Sequence, residues 1–186
     1  LVISTAPSDG SFDHAVITPN SEYYTPTSTV TLEATGMDYS GAQSDEIPAS
    51  TEWAFASGSE GMGTLEAGSI SGNTATAVFT SNGTLGDAEI HLTNDGETVG
   101  TVTVHIQDPD SLAFASSEIN LNYEQRSDLG LVAKYQGDVV NLKDGDISWT
   151  ISDDTAGSFQ ENTFVVTSDK KVSVSAQTSA AYGDVT

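Results

Sequence analysis

Two stretches of this chain repeat one pattern: TEWAFASGSEGMGTL from residue 51 and ISWTISDDTAGSF from residue 147. Each places a tryptophan, Trp53 or Trp149, in an alternating apolar run, breaks at an acidic or Gly-containing turn, and resumes with Gly, a hydroxyl residue and a large apolar one (Gly63-Thr64-Leu65, Gly157-Ser158-Phe159). The correspondence extends both ways and keeps its order. VTLEATGMDYSG, residues 30–41, lies over LGLVAKYQGD, residues 129–138, and ATAVFTS of residues 75–81 lies over NTFVVTS of residues 162–168. Length differences fall in the polar loops. A repeat of this kind constrains the fold more than any other feature, because each copy must bury its own apolar face around its own core.

The elements inside each copy read as strands. Short runs rich in Val, Ile, Thr and Phe alternate with polar residues and are punctuated by Gly, Asn, Asp and Ser, and no segment carries a helical period. HAVITP, STVTLEAT, TEWAFAS, TATAVFTS, AEIHLT and VGTVTVHI supply six strands in the first copy; SEINLNY, DLGLVAKY, ISWTIS, TFVVTS and VSVSAQT supply the second. Residues 88–106 form a hairpin whose Asn94-Asp95-Gly96 turn provides the positive φ that such turns need. The expected register turns Ile90, Leu92, Val102, Val104 and Ile106 inward, and Glu89, His91, Thr101, Thr103 and His105 outward.

Asp108-Pro109-Asp110 separates the copies, since proline cannot donate to a ladder and ends the strand before it. The expected architecture is all-β: two tandem β-sandwich domains, residues 1–107 and 108–186. By analogy with VGTVTVHI, the last strand of the second copy is cut short at Asp184-Val185-Thr186, and the chain reads as a fragment of something longer.

The alternation ending in Ala-x-Tyr, the turn, the tryptophan strand, the Gly-x-hydrophobic step and the Asn-Thr-Phe strand resemble the bacterial immunoglobulin-like (Big-type) repeats of secreted and cell-surface proteins. DPDSLAFASSEINL through DGDISWTISDDTAGSFQENTF is the closer match, similar to segments appended to extracellular phosphodiester glycosidases and glycoside hydrolases of Gram-positive bacteria. The resemblance implies that both domains, residues 1–107 and 108–186, are immunoglobulin-like β-sandwiches, with an extracellular or cell-surface setting beside an enzyme or adhesin, a spacer or adhesion role, and no catalytic residues.

Charge narrows the partners. There are 27 Asp and Glu against 5 Lys and Arg, for a net charge of -22, and the first basic residue is Arg126. Such a surface repels phosphate backbones and anionic headgroups, which argues against nucleic acid and against membrane surfaces. No run of the sequence is long and apolar enough for membrane insertion. Glycans, divalent cations, proteins and the neighbouring domains of the same polypeptide remain, with a monomer expected. The absence of cysteine excludes disulfides, a thiolate nucleophile and Cys metal sites.

Candidate ligand residues are Tyr23 and Tyr24, placed in a loop between Pro19 and Pro26, together with Tyr39, although Tyr39 matches Tyr135 in the repeat and reads on that ground as structural. With Asp38, Gln43 and Asp45 nearby, such rings stack on a neutral sugar while carboxylates accept its hydroxyl protons. Trp53 and Trp149 share one repeat position and read as core. Asp108 and Asp110 are the candidate calcium ligands, where an ion stiffens the junction, although no EF-hand spacing is present and other acidic turns (Asp144, Asp146, Asp153, Asp154) read as solvated. The register places His91 opposite Thr101 and His105 opposite Asp87, roughly 14 Å apart along the ladder, too far for a shared zinc; His14 stands alone. No nucleophile elbow or singled-out carboxylate pair points to an enzyme. Only Lys134 among the lysines lies in an expected strand, and Asn82-Gly83-Thr84 reads as a turn rather than a glycosylation site. The expected role is a non-catalytic accessory spacer, with a tyrosine-based carbohydrate-binding module and a protein-binding adhesin domain as the alternatives.

Overall fold

The computed structural model describes residues 9–178. Among these the chain forms two compact units: residues up to Glu22 with Pro26–Ile106, and Tyr23–Thr25 with the chain from Gln107 onward. The expected stub at Asp184-Val185-Thr186 lies outside the described residues.

The strands are, in chain order, β1 (His14–Thr18), β2 (Glu22–Tyr24), β3 (Thr29–Met37), β4 (Thr51–Phe55), β5 (Gly63–Ser71), β6 (Thr74–Ser81), β7 (Gly86–Asn94) and β8 (Glu97–Ile106), with one 3-10 turn at Glu60–Met62. In the first unit β1-β3-β6-β5 form one antiparallel sheet and β4-β7-β8 another. That order is the seven-strand immunoglobulin arrangement, four strands on one sheet and three on the other. Alternation supplies the core: Val30, Leu32 and Ala34 from β3, Ala75, Ala77 and Phe79 from β6, Ile90 and Leu92 from β7, and Val102, Val104 and Ile106 from β8 are all buried. Burying each of the larger side chains contributes about 1.5–3 kcal/mol. The β7–β8 hairpin has the expected register, with His91 opposite Thr101 and His105 opposite Asp87, and its turn places Asp95 and Gly96 at positive φ.

The second unit continues with β9 (Ser111–Phe114), β10 (Arg126–Ser127), β11 (Leu131–Tyr135), β12 (Asp138–Asn141), β13 (Ile147–Ile151), β14 (Gly157–Gln160), β15 (Thr163–Val166) and β16 (Val174–Thr178). The repeat survives in its tryptophan half. The strands β4 and β13 carry the same burial pattern, with tryptophan third, and Trp53 lies opposite Leu92 as Trp149 lies opposite Ala176. Both Gly63 and Gly157 press on the following strand: a Cβ would sit 2.1 Å from the Thr80 carbonyl oxygen in one copy and 2.5 Å from Phe164 in the other. Only glycine fits there.

The front half diverges. In the first unit β3 pairs with β6 through Thr29–Thr35 and with β1 through Glu33–Met37. In the second unit those two tasks are divided: β10 pairs with β15, β11 pairs with β9, and Leu129 and Gly130, both at positive φ, break the strand between them. The expected strand SEINLNY does not form; residues 117–123 are irregular, and Ile119 and Tyr123 are exposed. The core of this unit gathers Leu129, Phe164 and Val166 with Phe114, Trp149 and Phe159. Trp149 stacks on Phe159 at 4.4 Å and 9°, and its Nε1 donates to Asn162 Oδ1 at 3.2 Å.

Candidate ligand site

The three candidate tyrosines do not form one patch within one unit. Tyr23 and Tyr24 form part of β2 instead of a loop, because β12 offers them a partner: Tyr23 and Tyr24 run parallel to Val140 and Asn141. Asn141 Nδ2 donates to the Tyr23 carbonyl at 3.0 Å, and the Thr25 amide donates to the Asn141 carbonyl at 3.2 Å. Both rings are half-buried, and Tyr23 lies 6.0 Å from Tyr135.

Tyr39 belongs to the first unit and is 48% exposed. It sits at the tip of a tight loop that closes β3. Met37 bridges to Gln43, the Asp38 amide donates to the Ala42 carbonyl at 2.8 Å and the Gly41 amide to the Asp38 carbonyl at 3.0 Å. Asp38, expected to face a ligand, is fully buried. Its Oδ1 accepts from the Ser40 amide (2.8 Å), the Ser40 hydroxyl (2.7 Å) and the Ala42 amide (3.0 Å), so the carboxylate shapes the loop from within. Asp45 has its amide bonded to the Gly10 carbonyl at 2.8 Å. Gln43 Oε1 accepts from Asn73 Nδ2 at 3.3 Å, which joins the loop to the β5–β6 hairpin. Asn73 is the member of this group that sequence reasoning missed; the only signal was its place in a Gly-Asn turn.

The acidic turns are mostly engaged with the chain. Asp110 accepts from Ser111 Oγ at 3.1 Å and from the Gln136 amide at 2.7 Å, while Asp108 is half-buried. Among the described residues no three His, Asp or Glu side chains are grouped to hold one metal ion. Asp146 is buried: Oδ2 accepts from Thr25 Oγ1 and from the Lys143 amide, and Oδ1 from Lys143 Nζ at 2.6 Å. Asp153 is held down to about 2 by hydrogen bonds from Lys170 first, then from the Thr155 hydroxyl and amide. The histidines each meet a carboxylate: His14 with Asp13 (3.0 Å), His91 with Glu89 (2.7 Å) and His105 with Asp87 (2.7 Å).

No protein-family model matches this chain, and no curated protein matches it. Among solved structures it is similar to domains 5-6 of the S-layer protein SbsC, at 14% identity and a TM-score of 0.45, covering 94% of this chain and 95% of that one. It is similar also to the Escherichia coli adhesin FdeC, at 12% identity and a TM-score of 0.42, covering 91% of this chain and 60% of that one. A third is the Yersinia pseudotuberculosis adhesin InvE, at 19% identity and a TM-score of 0.34, covering 74% and 38%. The chain spans 52% of a structure of SbsC domains 4 and 5 and 24% of a longer rSbsC structure. These neighbours are bacterial surface proteins; the fold assignment rests on the strand order described above.

Proposed function

We propose that this chain is a non-catalytic positioning module of a larger extracellular polypeptide, the role its resemblance to Big-type repeats beside glycosidases implies. The observation that carries the reading is that the second unit is built from two stretches of chain. Tyr23–Thr25 belong to it, held by parallel pairing with β12 and by the Thr25 contact with buried Asp146. The chain therefore passes between the units after Glu22, after Thr25 and again after Ile106. Modules joined by one linker unfold independently. Here residues 26–106 leave the second unit's chain and return to it, and in the proposed module that connectivity couples the unfolding of the two units. A spacer that bears tension between an anchor and a working domain gains from that coupling. Its composition, with 27 acidic against 5 basic residues, favours solubility and repels anionic polymers.

Single-molecule stretching from both termini tests the reading. The wild-type chain is expected to yield in one cooperative event. Thr25→Val with Asn141→Ala, which removes two side-chain bonds holding Tyr23–Thr25, is expected to split it into two smaller ones. Two separate events in the wild-type chain would overturn the proposal.

A further inference from the structure

We propose that the Asp38–Gln43 loop of the first unit, with Asn73 beside it, binds a neutral glycan, the Tyr39 ring stacking on a sugar face and the Gln43 and Asn73 amides meeting its hydroxyls. This goes beyond the positioning role and is tested apart from it.

Four observations converge on this end of the first unit. The first is presentation. Among the described residues of this unit, Tyr39 is the aromatic side chain that stands exposed, at 48%, while Asp38 directly before it is fully buried. The second is rigidity. Three donors on Asp38 Oδ1, the Asp38-to-Ala42 backbone bond and the Met37–Gln43 bridge fix the loop before any ligand arrives. A tyrosine has two side-chain torsions to immobilise, so a ring on a preformed loop binds with little further ordering cost.

The third observation is the polar partner. The Gly36 amide donates to the Asn73 carbonyl at 2.8 Å, and the Ile47 amide to the Gly72 carbonyl at 2.8 Å. The β5–β6 hairpin is thereby fixed against the loop, and it brings the Asn73 amide onto Gln43. Each amide group carries both donor and acceptor capacity, the chemistry that sugar hydroxyls require. The fourth is charge. The first 125 residues hold no Lys or Arg, so an anionic polysaccharide is repelled and a neutral one is not. Asp38 is spent inside the loop; the amides, rather than carboxylates, contact the sugar.

The test is affinity electrophoresis of the whole chain through gels containing soluble starch, mixed-linkage β-glucan, xyloglucan or galactomannan, with polygalacturonate as the anionic comparison. At least one neutral gel is expected to retard the wild-type chain, and polygalacturonate is not. Tyr39→Ala is expected to weaken retardation at least tenfold, and Tyr39→Phe to keep most of it. Tyr123→Ala, altering an exposed tyrosine of the other unit, is expected to leave it unchanged. Asn73→Ala and Gln43→Ala provide second variants that spare the aromatic ring, each expected to weaken binding at least threefold. Retardation in none of the neutral gels, equal retardation by polygalacturonate, or retardation that survives Tyr39→Ala would each overturn the proposal.

Discussion

Removing the Asp146 carboxylate is expected to destabilise the second unit by about 2–4 kcal/mol, a figure built from its three donors. The Lys143 ammonium, at 2.6 Å, belongs to a side chain that is 37% exposed and returns to water at little net cost. The other two donors differ. The Thr25 hydroxyl lies in a buried residue, and the Lys143 amide, 3.0 Å from Oδ2, is also directed at the carboxylate. Leaving each unpaired costs about 1–3 kcal/mol, and partial relaxation brings the pair to the lower half of their sum. Asp146→Asn keeps one acceptor oxygen and is expected to cost about half as much, while Thr25→Val removes one donor and little volume and should cost about 1 kcal/mol. Urea unfolding followed through Trp149 in a Trp53→Phe background reads these differences. With a slope of about 2 kcal/mol per molar urea, Asp146→Ala should lower the midpoint by about 1–2 M. A loss below about 0.5 kcal/mol, or a Thr25→Val cost exceeding that of Asp146→Ala, would refute the reasoning.

Three further outcomes follow from single residues. Among the described residues, Thr51 Oγ1 and Trp53 Nε1 are buried without a hydrogen-bond partner, so Thr51→Val should stabilise the first unit by roughly 1 kcal/mol in urea unfolding; a loss of stability would show that the hydroxyl is bonded. Gly157→Ala places a Cβ 2.5 Å from both Phe164 and the Val165 carbonyl and should cost about 1–3 kcal/mol through overpacking, measured by calorimetry; a neutral effect would contradict the close approach. Because the Asp153 carboxyl is depressed to about 2 from its ordinary 3.8, its stabilising contribution is present above the ordinary value and is lost as pH falls through about 2. Lys170→Met should return it towards 3.8 in a carboxyl NMR titration, and a value staying near 2 would assign the depression to Thr155 alone.

The sequence made legible what depends on local alternation. Ile90, Leu92, Val102, Val104 and Ile106 are buried as their period of two requires, and that alternation, rather than the turn, gave the partners of His91 and His105, because the ladder shifts by one residue between Leu92 and Thr93 on its way from the turn. The strand β5 was not legible, because GTLEAGSIS is exposed along most of its length and carries almost no apolar signal; its ladder is with β6. SEINLNY failed for the opposite reason: its alternation is that of a strand, yet Ile119 and Tyr123 find no core. The β2–β12 pairing joins Tyr23 to Val140, a separation no local pattern encodes. At the candidate site, the repeat match of Tyr39 to Tyr135 pointed to a structural role rather than to the exposure observed, and the inward aim of Asp38 and the arrival of Asn73 depend on how the loop and hairpin fold.

Equilibrium unfolding of two single-tryptophan variants tests most directly whether the units are coupled through a second unit built from two stretches of chain. Trp149→Phe leaves Trp53 to report the first unit, and Trp53→Phe leaves Trp149 to report the second. Coincident urea midpoints are expected, and they should separate when Thr25→Val and Asn141→Ala are added. Two well-separated transitions with Thr25 and Asn141 intact would mean that the units stand independently, and would contradict a coupled positioning module.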